Sequence, residues 1–287
     1  MVKPVINADL LLRSTRPACD DSRMSAASSP PAGGTTVTVQ PGAEPFSADG
    51  GPIGVLVLHG FTGSPRTVRP WAEHLAAAGL TVRAPRLPGH GTSWQNLATT
   101  GSRDWYATAD QAFTELSGRC EQVFITGISM GACLAFRLAE TQGAKVSGLV
   151  VVNPSLAPDT RLFVLAPILK HVNVSVKGIA GDIKKPGASE GGYQRVPLKA
   201  AGTLPELWKL TARHLAGVTQ PVRVYRSTVD HVVGPPSMQV LKAALPAAEV
   251  VPLPDSYHVA TLDNDAPAIF DGTLAFIKEH TAAEKRV

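Results

Sequence analysis

Cysteine is nearly missing from this chain: 287 residues hold three, Cys19, Cys120 and Cys133. Three thiols cannot form a disulfide framework, so the fold must rest on a packed core, and a reducing cytoplasm is the expected location. Cys120, just ahead of a strand-like run, and Cys133, in a helix-like one, read as small buried apolar groups. Long apolar runs are missing too. The N-terminal region offers only Leu10-Leu11-Leu12, with Asp9 before it and arginines after, which is too short for a signal peptide or a membrane span. Residues 1–36 continue through Ser-Ala-Ala-Ser-Ser-Pro-Pro-Ala-Gly-Gly, the composition of a disordered tail, with Met24 as an alternative start. A short flexible tail is also expected at 282–287.

Metal-binding patterns are lacking as well. There is no His-Glu-x-x-His and no paired cysteine spacing, so neither a metal nor a cofactor is expected. Gly89-His90-Gly91 lacks the spacing and following acid of a dinucleotide fingerprint and reads as a turn. Aromatic residues make up 6% of the chain, and no Arg/Lys ladder with interleaved aromatics appears, which argues against nucleic acid as a partner.

What the chain does have is apolar residues, 44% of the total, enough for one sizeable α/β domain with an insertion. Strand-like runs at Gly54–Leu58, Thr81–Ala84, Gln122–Thr126, Gly148–Asn153, Pro221–Arg226 and Glu249–Leu253 alternate with helix-like ones. The helices are expected near Thr67–Ala78, Arg103–Leu116, Met130–Glu140, Pro235–Ala244 and Ala266–His280. Such alternation predicts a mostly parallel sheet covered on both faces. It breaks between 155 and 205, where no strand is expected. So long an interruption in a compact domain reads as a lid inserted between core segments 37–154 and 206–281.

The lid region is basic. Between residues 155 and 200 seven Lys/Arg face three Asp/Glu, so this stretch carries the whole formal excess of +4. It also holds Leu162-Phe163-Val164-Leu165-Ala166-Pro167-Ile168-Leu169. Apolar area beside basic charge suggests transient contact with anionic lipid surfaces. Equal pelleting with neutral and anionic vesicles would rule that out.

The chemistry is written at 123–131, Val-Phe-Ile-Thr-Gly-Ile-Ser-Met-Gly. Gly-x-Ser-x-Gly between a strand and a helix is the pattern of a nucleophile elbow, a turn so sharp that only glycine fits two positions either side of the serine. Ser129 would sit strained at its tip, with the helix N-terminus facing the reacting oxygen. Serine there favours ester chemistry; Asp or Cys would point to dehalogenase-type or dienelactone-type reactions.

A serine hydroxyl needs a base and an orienting acid, which in this architecture follow it in the chain. Asp230, leaving the strand at 222–226, is the candidate acid; Asp255 is its rival but lies too close to the histidine in sequence. Among the histidines beyond Ser129, His171 and His214 precede the acid, His231 adjoins it and His280 lies in the last helix. His258, after the strand at 249–253, remains as the base. The developing oxyanion needs two N–H donors. Met130, next to the nucleophile, and Phe61, in the turn His59-Gly60-Phe61-Thr62-Gly63, are the candidates. His59 is assigned to the turn and not to the chemistry.

Several further stretches carry a family resemblance. They are Gly-Ala-Glu-Pro-Phe at 42–46, His-Gly-Phe-Thr-Gly-Ser-Pro at 59–65, Pro-Arg-Leu-Pro-Gly-His-Gly-Thr at 85–92, Gly-Ile-Ser-Met-Gly at 127–131, Asp-His-Val-Val at 230–233 and Ser-Tyr-His-Val-Ala-Thr-Leu-Asp at 256–263. With them the chain resembles the bacterial monoacylglycerol lipases and related carboxylesterases, from about Gly42 to Phe276. The resemblance implies an α/β-hydrolase fold with a lid, and a Ser129, Asp230, His258 triad with Phe61 and Met130 as donors. By the same match, Ile179-Ala180-Gly181-Asp182-Ile183-Lys184-Lys185-Pro186 and Glu190 resemble the family's acyl-pocket and glycerol-contact segment. Ile179 would then touch the acyl chain and Glu190 would accept from the glycerol hydroxyls. The segment departs from the family in its glycines at 187, 191 and 192. The expected function is hydrolysis of a carboxylic ester, monoacylglycerol foremost. The alternatives are a broader carboxylesterase and a non-hydrolytic binder of an apolar ligand.

Overall fold

The computed structural model describes residues 37–159, 168, 171, 174–178 and 181–284. The expectations for the N-terminal tail, for Cys19, for Ile179 and for most of the apolar stretch 162–169 lie outside these residues. The sheet is built from strands β1 (Phe46–Ala48), β2 (Ile53–Leu58), β3 (Thr81–Ala84), β4 (Gln122–Ile128), β5 (Gly148–Val152), β8 (Val222–Ser227) and β9 (Glu249–Leu253). Their order is β1-β3-β2-β4-β5-β8-β9, with β1 antiparallel to β3 and every other pair parallel. The helices that cover it are α1 (Arg69–Ala77), α2 (Ser102–Ser117), α3 (Met130–Gln142), α4 (Leu204–His214), α5 (Pro235–Ala244) and α6 (Ala266–Glu284).

The central strands are largely apolar because both faces are buried. Leu56, Leu58, Val123, Ile125, Leu149 and Val151 point to one face, where they meet Trp105 and Phe113 of α2 and Leu134 and Leu138 of α3. Their sequence neighbours Val55, Val57, Phe124, Val150 and Val152 point to the other, against Trp71 and Leu75 of α1 and Ile269 and Phe276 of α6. Strand β2 has β3 on one side and β4 on the other, so the winding direction reverses between β2 and β4. The crevice outside the carboxyl ends of strands at such a reversal is where open α/β sheets bind ligands.

Three features differ from the sequence-based expectation. Strand β1 escaped notice because three residues are too few to show a period. The stretch 155–205, expected to hold no strand, contains a small antiparallel pair, β6 (Ser175–Lys177) with β7 (Arg195–Pro197). Each is three residues long and largely solvent-facing, so neither carries an apolar signature. Helix α6 runs to Glu284, past the expected start of a tail at 282, since Ala282-Ala283-Glu284 are good helix formers. Among the described residues no helix is long and apolar enough to cross a membrane.

Candidate active site

Ser129 stands between β4 and α3 with φ 57° and ψ −117°, a conformation that costs a non-glycine residue about 1–3 kcal/mol. Neighbouring backbone holds it there. Its N–H donates to the Val152 carbonyl (3.0 Å), and its own carbonyl accepts the N–H groups of Ala132 (3.1 Å), Cys133 (3.2 Å) and Ser155 (3.2 Å). The flanking glycines are a steric necessity. A Cβ on Gly127 would lie 2.6 Å from the Gly131 carbonyl carbon and oxygen, and one on Gly131 would strike the Leu58 and His59 carbonyl oxygens. Gly60 leaves just enough room beside the serine, its hypothetical Cβ lying 3.3 Å from Ser129 Cβ.

His258 and Asp230 reach the same place from the carboxyl ends of β9 and β8. The His258 Nδ1 lies 3.0 Å from Asp230 Oδ2. The side chain of Asp230 is wholly buried and saturated with donors. Its Oδ1 accepts the N–H groups of Val232 (2.9 Å) and Val233 (2.8 Å), and Oδ2 also accepts from Arg226 Nη1 (2.6 Å). Burial pushes this carboxyl up, but the His258 bond and charge and the two amides outweigh it, so Asp230 titrates below its ordinary range. Asp255, the rival acid, pairs instead with Lys184 Nζ at 2.6 Å. His231 points away from Asp230, its Nδ1 bonded to Asp182 at 2.7 Å.

Ser129, His258 and Phe61 line one cleft with Gly60, Gly63, Thr67, Ile128, Val259 and Glu190, enclosing about 30 Å³. Met130 opens α3, so its N–H is among the first four of the helix and has no acceptor within it. The Phe61 turn is fixed from below by His59, fully buried, whose Nε2 accepts the Leu87 N–H (3.2 Å) and whose Nδ1 donates to the Gly60 carbonyl (3.0 Å). Burial is the main reason that His59 falls to about 4, so the ring is neutral and structural.

Glu190 enters the cleft from the segment between β6 and β7 and is 9% exposed. One oxygen accepts the Gly181 N–H at 2.6 Å. Burial raises its carboxyl above the usual value, against the opposing pull of that N–H and of His258.

Sequence reasoning passed over three residues. Asn153, buried and with φ 44°, donates from Nδ2 to the His258 carbonyl (2.8 Å) and to Ser227 Oγ (2.9 Å), and accepts the Ser227 N–H (2.9 Å). A polar side chain directly after the all-apolar β5 was the available signal. Arg226 lies four residues before Asp230 on the same strand end, a spacing visible in the chain. Asp182, inside the segment read for substrate contact, bonds to the loop that carries His258, which no periodicity could reveal. Cys133 is buried as expected, and burial pushes its thiol up to about 12; Cys120 is only partly covered.

Residues 55–276 match the model of the alpha/beta hydrolase family, and the chain belongs to that family. It is 36% identical over 244 residues to the thermostable monoacylglycerol lipase of Bacillus sp. strain H-257, covering 83% of this chain and 96% of that one. It is 24% identical to a carboxylesterase of Bacillus subtilis strain 168, covering 82% and 96%. A solved structure from work on LipS and LipT, two metagenome-derived lipolytic enzymes, shares 37% identity with a TM-score of 0.81, over 85% of this chain and all of that one.

Proposed function

We propose that this protein is a serine hydrolase that cleaves monoacylglycerol to fatty acid and glycerol through an acyl-enzyme. The observation that carries the reading is the bond of His258 to the buried Asp230 beside a cleft shared with the strained Ser129. Ser129 Oγ attacks the ester carbonyl while His258 Nε2 takes its proton. Asp230, bonded to Nδ1, orients the imidazole and stabilises its cationic form. The N–H groups of Phe61 and Met130 hold the oxyanion, each contributing about 3 kcal/mol to the barrier reduction. His258 then protonates the departing alcohol oxygen as the tetrahedral intermediate collapses. Water, activated by the same histidine, releases the fatty acid and regenerates Ser129. No cofactor takes part.

Glu190 supplies the alcohol preference. One of its oxygens is engaged by Gly181, leaving the other to accept from a glycerol hydroxyl. An alkyl ester without that donor would leave a buried carboxylate oxygen unpaired, at a cost of about 1–3 kcal/mol. By the family resemblance Ile179 lies along the acyl chain. Similarity at 36% to a protein named a monoacylglycerol lipase favours this reading. The weaker match to a carboxylesterase supports the broader alternative of short to medium acyl esters. Cytoplasmic residence accords with the free thiols of Cys120 and Cys133.

A hydrolysis panel of monoacylglycerols, diacylglycerols and simple alkyl esters, run with Ser129→Ala and Glu190→Ala, tests both parts. Ser129→Ala should lose about 10⁶-fold in kcat. Glu190→Ala should lose rate selectively on monoacylglycerols; an equal loss on every ester would remove the glycerol role.

A further inference from the structure

One residue of the cap holds the two loops that carry the acid and the base. Asp182 Oδ2 accepts the His258 N–H (3.1 Å) and the His231 N–H (3.2 Å). Its Oδ1 bonds His231 Nδ1 (2.7 Å), and its main-chain carbonyl accepts the Val259 N–H (3.0 Å). It thus grips two consecutive amides of the base loop and the residue that follows Asp230. The segment around it is anchored separately. Asp263, 1% exposed, accepts the N–H groups of Lys184 (2.7 Å), Lys185 (2.8 Å) and Tyr257 (2.9 Å).

Nearer the strand ends the acid and base loops meet at Ser227 Oγ and the Tyr257 carbonyl (2.8 Å). Asp182 closes them at their tips. His258 is therefore held from both sides: Asn153 of the core bonds its carbonyl, and Asp182 of the cap bonds its N–H. Removing either grip lets the imidazole drift relative to Asp230 and Ser129, and a displacement of about 1 Å at a reacting centre costs about 100-fold in rate.

We propose that Asp182 is a positioning residue that keeps His258 in register with Asp230 by joining the acid and base loops through their backbone amides. The cap segment is then part of the catalytic frame as well as its cover. The proposal rests on the triad reading given above.

The role is that of a hydrogen-bond acceptor, which separates it from a merely electrostatic one. An asparagine can turn its oxygen to the two backbone N–H groups and its NH₂ to the His231 ring, replacing every bond. Alanine replaces none. The experiment compares Asp182→Ala, Asp182→Asn, Asp182→Ser and His231→Ala, with kcat and KM measured separately on a monoacylglycerol and on a p-nitrophenyl ester. Asp182→Ala should lower kcat by about 10- to 100-fold on both esters with KM within about twofold. Asp182→Asn should recover kcat to within about threefold of the parent, and His231→Ala, which removes the ring's contacts with Asp182 and Tyr257 but keeps its N–H on Asp182, should do the same.

Asp182→Ser, whose hydroxyl is too short to span both amides, is the second truncation if the alanine variant does not fold. If neither folds, the downfield proton resonance of the His258–Asp230 bond in Asp182→Asn decides: its retention supports the proposal and its loss overturns it. A truncation with parental kcat, an effect confined to KM, or an asparagine variant as slow as alanine would each overturn it. Ser129→Ala and His258→Ala run alongside. If they stay active the triad reading itself falls; if they are inactive while Asp182→Ala is not, only the role of Asp182 falls.

Discussion

The two walls of the cleft are held in place by opposite means. On the sheet side Ser129 is fixed by shape, with carbonyl oxygens packed so closely around Gly127 and Gly131 that a methyl group has nowhere to go. On the opposite side, between β6 and β7, Glu190 and Asp182 are held by hydrogen bonds to individual amides, and Gly181 and Gly187 have open space around them, although a Cβ on Gly192 would meet Glu190 itself at 2.9 Å. The serine wall resists any change of volume. The opposite wall has room to add volume at Gly181 and Gly187 but depends on its acceptors, so its contacts can change without moving Ser129.

The sharpest way to break that comparison is to add the same methyl to each wall. Gly131→Ala would force β2 and α3 apart at the Leu58 and His59 carbonyls, and we expect a cost above 3 kcal/mol, read as a Tm fall of about 10 °C or failure to fold. Gly187→Ala meets nothing within 4 Å and pays only for φ +78°, about 1 kcal/mol and a fall of about 3 °C. Equal shifts would erase the distinction.

Acid should strike the sheet wall next. The neutral His59 of the folded protein titrates at about 4 against 6.5 when unfolded, so its contribution is complete above pH 6.5 and is lost as pH falls through 4. That is about 3 kcal/mol from this ring. His90, 5.0 Å away and also buried, is held well below its ordinary value, chiefly by burial, and acts in the same direction. Urea unfolding at pH 7.5 and 4.5 measures the loss. His59→Gln should shrink the difference, and an unchanged pH slope in that variant would remove the assignment.

Asn153→Ala leaves the Ser227 N–H buried without its partner and frees the His258 carbonyl. We expect a loss of about 1–3 kcal/mol in stability and about 10-fold in kcat, seen by calorimetry and ester turnover. The smallest effect is expected from Lys184→Ala, which removes the exposed pair with Asp255. Tm should stay within about 2 °C, because exposed ion pairs gain little over hydration.

How far the chain could be read in advance follows the same division. The strands of the buried sheet announced themselves as apolar runs, and Thr81–Ala84 and Glu249–Leu253 run between the expected residues. Gly-x-Ser-x-Gly marked the turn because its constraint is local: five consecutive residues contain the whole steric problem. Chain order and elimination among few candidates point to Asp230 and His258, which the structure joins by a 3.0 Å hydrogen bond. Asn153 acts through bonds to residues tens of positions away in sequence, which its place after the apolar β5 flags but cannot specify, whereas Arg226 lies four residues from its partner Asp230 and was open to being read. The short β6–β7 pair failed for another reason: three residues per strand, several of them exposed, leave no period to detect.

Asn153 imposes an unusual chemical demand. Its amide gives protons to Ser227 Oγ and the His258 carbonyl while receiving one from the Ser227 N–H, on a backbone at φ 44°. Aspartate is isosteric but would set lone pairs against the histidine carbonyl, glutamine would overshoot, and serine would fall short of both loops. A saturation library at this codon, selected for turnover, should therefore return asparagine and little else. Anyone recasting this scaffold for new esters should leave that position untouched and diversify the roof.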